Sequence, residues 1–177
     1  MSLIDSTYFV FDINIPDSDY SDLAAYITRY EKEIIEKLFG YELGALVIAY
    51  NVSTSPQRIK DIVEGKEYTV GDETIKWNGL ANTDKISLLA YYVYYKYAKN
   101  KASQLSNLGQ VRPVVENSAI ADPSQVLSSA WYNLRRLYGY SGQNSLIPSA
   151  YNFLTEHESD YSEWVFTRLG SVNTFDL

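Results

Sequence analysis

The chain has no cysteine and a single histidine, His157. Without thiols there is no disulfide, no thiolate zinc site and no cysteine nucleophile. With one imidazole, any zinc site would have to be built almost wholly from carboxylates. No apolar run approaches the ~20 residues that span a bilayer. The apolar stretch at 43–49 is short and is interrupted by Gly44. The first residues carry no basic region and no lipidation signal, so a soluble, unprocessed protein with no membrane partner is expected. Bases are also scarce, with 15 Lys and Arg against 22 Asp and Glu, a net charge of −7. Phosphate neutralisation needs Lys and Arg, so such a chain is a poor general binder of nucleic acid.

Aromatic residues, in contrast, are abundant: 17 Tyr, 6 Phe and 3 Trp. That is enough large side chain for a core, and 177 residues suit one domain. The charge is unevenly spread. Residues 1–40 carry net −5 and residues 81–140 net +4, while residues 141–177 return to net −4. A basic middle and acidic ends let one copy attract another; ordinary solubility explains the same balance.

The pattern predicts a mainly α fold: a helical bundle with a small β-hairpin insertion and extended N- and C-terminal segments. The N-terminal segment is residues 1–16, the helical domain 17–156 and the tail 157–177. Phe9, Phe11, Ile13 and Ile15 alternate with Val10, Asp12 and Asn14, which reads as an extended strap over the bundle or a strand added to a partner's sheet. A first helix is expected over 18–39. Leu23, Ile27, Tyr30, Ile34 and Leu38 form its apolar stripe, and Gly40 ends it. A second helix follows over 41–50 and a third over 56–63. Gly71-Asp72 then supplies a type II′ turn, placing Tyr68 opposite Ile75 and Thr69 opposite Thr74 in a hairpin at about 66–77. Its apolar face holds Tyr68, Val70, Ile75 and Trp77.

Of residues 91–97, five are tyrosine: Tyr91, Tyr92, Tyr94, Tyr95 and Tyr97. A helix apolar on nearly every side must be wrapped by others, and its hydroxyls must find partners or water. This helix is expected over 85–104, capped by residues 82–84. Lys85, Lys96 and Lys99 fall on one strip of it. A long connection, 105–121, follows, of the kind that is functional or disordered. Asp122, Pro123 and Gln125 announce another helix, with Val126, Leu127, Ala130, Trp131, Leu134, Leu137 and Tyr138 as its buried face. A last short helix spans 148–156, and the tail beyond it reads as extended.

Candidate chemistry is thin. His157 lies among Glu156, Glu158 and Asp160, which a small hydrolase or a metal site would use; a solvated surface cluster is the expected state. The carboxylate pairs Glu31 with Glu36 and Glu64 with Glu67 read as solvated helix faces rather than a glycosidase pair. Arg135 and Arg136 would reach a phosphate, or one would pair with an acid; pairing is the expectation. Three lysines beside Tyr92 and Tyr95 leave a nucleic-acid-binding helical module as an alternative. No enzyme activity and no cofactor are expected.

Several segments occur in a telling order. Residues 30–43 read Tyr-Glu-Lys-Glu-Ile-Ile-Glu-Lys-Leu-Phe-Gly-Tyr-Glu-Leu. Then come Trp77-Asn-Gly-Leu80, Leu89-Ala-Tyr-Tyr-Val-Tyr-Tyr95, Glu116-Asn117, Pro123 to Trp131, and Asn173-Thr-Phe-Asp-Leu177. In this order the chain resembles the head–tail connector (adaptor, or neck) proteins of tailed bacteriophages and prophages, notably those of Bacteroidetes and crAss-like phages. The resemblance implies a structural virion protein made in the bacterial host cytoplasm. Copies would form a ring, often of twelve, under the portal. Genomic DNA would pass through the ring without specific binding. Partners would be the portal protein and the next neck or tail protein. Termini and long loops commonly make the contacts in that family. Together with the apolar hairpin face, which must dock on its own bundle or on a neighbouring subunit, that directs attention to Phe9, Phe11, Tyr68, Val70, Ile75, Val111, Arg112, Val114, Trp164, Phe166, Phe175 and Leu177.

Overall fold

The computed structural model describes residues 2–15, 20–101, 104–106, 109–111 and 123–170, with only the backbone of 20–21, 104–106, 109–111 and 123. The fold is mainly helical. The elements are α1 (Tyr20–Ile48), α2 (Gln57–Glu64), β1 (Lys66–Val70), β2 (Glu73–Trp77), α3 (Leu88–Lys101), β3 (Gln104–Ser106), β4 (Gly109–Val111), α4 (Pro123–Tyr138) and α5 (Ala150–Glu156).

Helix α3 is the axis, packed between α1 and α4. Its tyrosines are core: Tyr91, Tyr92, Tyr95 and Tyr97 are buried and Tyr94 is half-buried. The rings of Tyr26 and Tyr97 meet edge to face at 5.3 Å, and Tyr95 lies 5.0 Å from Trp131 of α4. The expected α1 stripe is in place, with Leu23, Ile27, Tyr30, Ile34 and Leu38 all buried.

The two helices expected either side of Gly40 are both present as the two arms of α1, which breaks at that residue. Gly40 has φ 76° and ψ 179°, far from helical values. A side chain there would be strained, so glycine allows the chain to turn and resume its helix. The break orphans carbonyls of the preceding turn. One of them, Leu38 O, accepts from the Tyr138 hydroxyl and the Trp164 indole N–H, each at 3.2 Å.

The hairpin has the predicted register, with Tyr68 opposite Ile75 and Thr69 opposite Thr74. Gly71 has φ 60° and Asp72 is not among the positive-φ residues, the combination of a type II′ turn. Tyr68, Ile75 and Trp77 are buried in the protein's own core, and Phe153 of α5 stacks on Trp77 and meets Tyr68 edge-on.

Four expectations are corrected. The N-terminal segment is not extended. It makes two 3-10 turns, Ser6–Tyr8 and Phe11–Ile13, because tertiary hydrogen bonds override the alternating pattern. Tyr8 exchanges hydrogen bonds with the backbone of Asn82, and Asp12 accepts from Tyr91 and Asn133. Second, α3 starts at Leu88, not near residue 85. Lys85 sits at φ 59°, outside helical space, and the Ser87 hydroxyl accepts from Leu89 N at the helix entrance. Third, the connection after α3 contains an antiparallel pair, Gln104 opposite Val111. Fourth, the tail is part of the body as far as Leu169, which is buried. On α4, Leu127, Ala130, Leu134 and Tyr138 are buried as expected, Trp131 and Leu137 half-buried, and Val126 exposed.

Candidate interaction surface

The residues expected to contact partners separate into three groups. Phe9, Tyr68 and Ile75 are buried in the protein's own core, which corrects their reading as an exposed interface. Val70, Trp164 and Phe166 are half-buried; the two tail rings pack on the body. Phe166 stacks on Tyr138 at 5.8 Å and meets Tyr151 at 4.7 Å. Phe11 alone projects, 80% exposed, with φ 58°. The side chain of Val111, and Arg112, Val114, Phe175 and Leu177, lie outside the described residues.

Phe11 is notable on two counts. A bulky residue rarely adopts positive φ, and an exposed phenylalanine gains nothing from burial. Its neighbour Asp12 holds the turn from two helices, accepting from the Tyr91 hydroxyl at 3.0 Å and from Asn133 Nδ2 at 3.1 Å. Burial first, and then this carboxylate, push the Tyr91 phenol up to about 12.

The rest of the strap is fastened by Glu31, which is buried on α1. Its carboxylate accepts the backbone N–H groups of Leu3 (3.0 Å) and Ile4 (3.1 Å). Burial raises its pKa against the opposing pull of those two N–H donors. The expectation of a solvated Glu31 is thereby corrected, whereas Glu36 keeps a surface ion pair with Lys32.

The alternative chemistries are not assembled. His157 Nδ1 lies 2.8 Å from the Phe153 carbonyl, and its ring packs on Phe153 and Tyr68 at 4.7 and 5.6 Å. Glu156, Glu158 and Asp160 beside it are exposed. Among the described residues no three His, Asp or Glu side chains are grouped to hold a metal. No helix among them is long and apolar enough to cross a membrane. The expected lysine strip is split. Lys85 lies off α3, donating to Thr7 with its ammonium 4.5 Å from the Tyr8 ring. Lys96 pairs with Glu33 at 2.9 Å, and only Lys99 of the three is fully exposed.

The surface that sequence reasoning missed lies at the C-terminal end of α4. Tyr132 is 67% exposed and Tyr140 51%. With Arg135, Arg136, Ile147 and Pro148 they line a groove of about 590 Å³. Neither guanidinium group makes an ion pair or a hydrogen bond among the described residues, so the expected pairing with an acid is absent there. At the groove, Gln143 Oε1 is buried with no partner among the described residues. The Tyr and Arg content was visible in sequence, but the loop wall at 140–148 was not. Tyr and Arg are the side chains that interfaces favour.

No family model matches the chain, nor does any curated protein or solved structure.

Proposed function

We propose that the protein is a structural head–tail connector of a tailed phage, working as a ring under the portal and joining it to the next neck or tail component. The observation that carries this reading is the order of the segments from Tyr30 to Leu177, which resembles that family along most of the chain. The mainly helical body with its hairpin supports it, as does a surface of Tyr and Arg whose guanidinium groups form no ion pair among the described residues. A ring requires two different surfaces that meet head to tail. The net −5 and −4 ends and the net +4 middle of the chain supply opposite signs for such surfaces. An acidic lining would let DNA slide past. In this reading the contacts fall to Phe11 and the α4 groove, and to segments outside the described residues, including Arg112, Val114, Phe175 and Leu177.

The hydrolase alternative has less support, because the one imidazole is engaged in packing. The test is to mix the protein with the portal encoded in the same genome and examine the mixture by mass photometry and cryo-electron microscopy. Ring-shaped density on the portal is expected. A strict monomer that ignores the portal under all conditions overturns the reading.

A further inference from the structure

The groove at the end of α4 combines features that point to one kind of occupant. Its floor and walls are aromatic and aliphatic, from Tyr132, Tyr140, Ile147 and Pro148. Its charges are Arg135 and Arg136, and among the described residues no carboxylate lines it. Two guanidinium groups with no ion pair among the described residues select a carboxylate. The adjoining tyrosines select an aromatic or aliphatic side chain next to that carboxylate. An acidic strand with apolar neighbours meets both requirements.

The chain carries a segment of that composition itself. Residues 171–177 read Ser-Val-Asn-Thr-Phe-Asp-Leu, with Asp176 between Phe175 and Leu177. The described part of the tail runs along α4. Phe166 stacks on Tyr138, the last residue of α4. Four residues on, the Gly170 carbonyl accepts from Trp131 Nε1 at 2.9 Å. The tail thus runs back along α4 by seven residues, about 10 Å. Gly170 lies beside the middle of the helix, while the groove runs from Tyr132 past the helix's C-terminal end.

We propose that the α4 groove of one copy receives residues 171–177 of a second copy, with Arg135 and Arg136 gripping Asp176 and the tyrosines holding Phe175. Tail and groove are different surfaces, so the contact is head to tail and repeats from copy to copy. This deepens the ring reading by assigning the contact between neighbours, and it is measured without the portal.

The experiment is fluorescence anisotropy of a labelled Ser-Val-Asn-Thr-Phe-Asp-Leu peptide titrated with the full-length protein, at concentrations where the protein sediments as a monomer. Saturable binding is expected. The R135E/R136E protein should bind at least about tenfold more weakly, the loss of a charge-assisted contact. The D176K peptide should lose affinity for the wild type and regain it for R135E/R136E. The F175A peptide should also bind more weakly. Circular dichroism and the melting temperature of R135E/R136E confirm that it folds. Absence of saturable binding overturns the proposal, and so does equal binding of the D176K and native peptides. A protein that takes the peptide but ignores the portal refutes the neck reading alone. One that decorates the portal but rejects the peptide refutes this inference alone.

Discussion

The carbonyl oxygen of Leu38 accepts from the Trp164 indole N–H, a residue 126 positions later in the chain. The Tyr138 hydroxyl shares the same acceptor. The bend at Gly40 therefore does more than redirect α1. It exposes a backbone acceptor at which α4 and the tail are both anchored. Tyr138→Phe or Trp164→Phe should each cost about 0.5–1.5 kcal/mol, the net worth of one hydrogen bond, with added packing loss for the indole. Because the two donors share one acceptor, the double variant should depart from additivity. Urea melts of the four proteins in the cycle measure this; strict additivity would show that the shared carbonyl is energetically irrelevant.

Removing the tail from residue 163 onward should destabilise the body. Trp164, Phe166 and Leu169 all pack on the core. Losing three such side chains should cost at least about 3 kcal/mol. A truncation ending at Gly170 keeps all three and should melt close to the full chain. Calorimetry of the two truncations decides the matter, and equal melting temperatures would mean that the tail is merely laid on the surface.

Phe11→Asn should stabilise the isolated protein by about 1 kcal/mol, since asparagine tolerates positive φ far better than phenylalanine does. In the proposed assembly the same change should weaken binding. A melting temperature that falls instead would show that the ring contributes packing its 80% exposure conceals.

The tyrosines set an alkaline limit. Burial, their largest single cause, raises the pKa of Tyr8, Tyr50, Tyr68, Tyr91, Tyr92, Tyr94, Tyr95, Tyr138 and Tyr161 above the ordinary 10.0. The folded state therefore keeps phenolic protons that the unfolded chain releases. Stability from these groups is fully present below pH 10 and is lost as pH rises toward 12, the value reached by Tyr91 and Tyr138. Absorbance near 295 nm should show these nine tyrosines ionising only above pH 10, together with loss of the fold. One smooth titration of all 17, with the fold intact, would contradict the burial described.

The parts of this fold that sequence discloses are those decided locally. Cross-strand chemistry and Gly71 specify the hairpin register within twelve residues. Gly40 marks the bend, and the stripe from Leu23 to Leu38 marks the buried face of α1. The strap was misread because its 3-10 turns depend on Asn82, Tyr91 and Asn133, all distant in the chain. The start of α3 was misplaced because Asn82 ties Ile86 through a loop bond that resembles a helix cap. The groove was invisible for a related reason. Periodicity shows which side of α4 is apolar, but not which polar side the loop at 140–148 will wall in.

The contacts that close the body are also the most distant in sequence. Tyr161 donates to Arg58 across 103 positions, and Asn133 reaches Asp12 across 121. Bonds of that span form only after the intervening chain has been brought together, because loop closure must be met before they reward it. A chain still emerging from the ribosome must therefore hold α1 and α3 together with the Leu38 acceptor uncapped and Asp12 lacking its partner on α4. Sealing the body waits for the residues from Asn133 to Trp164.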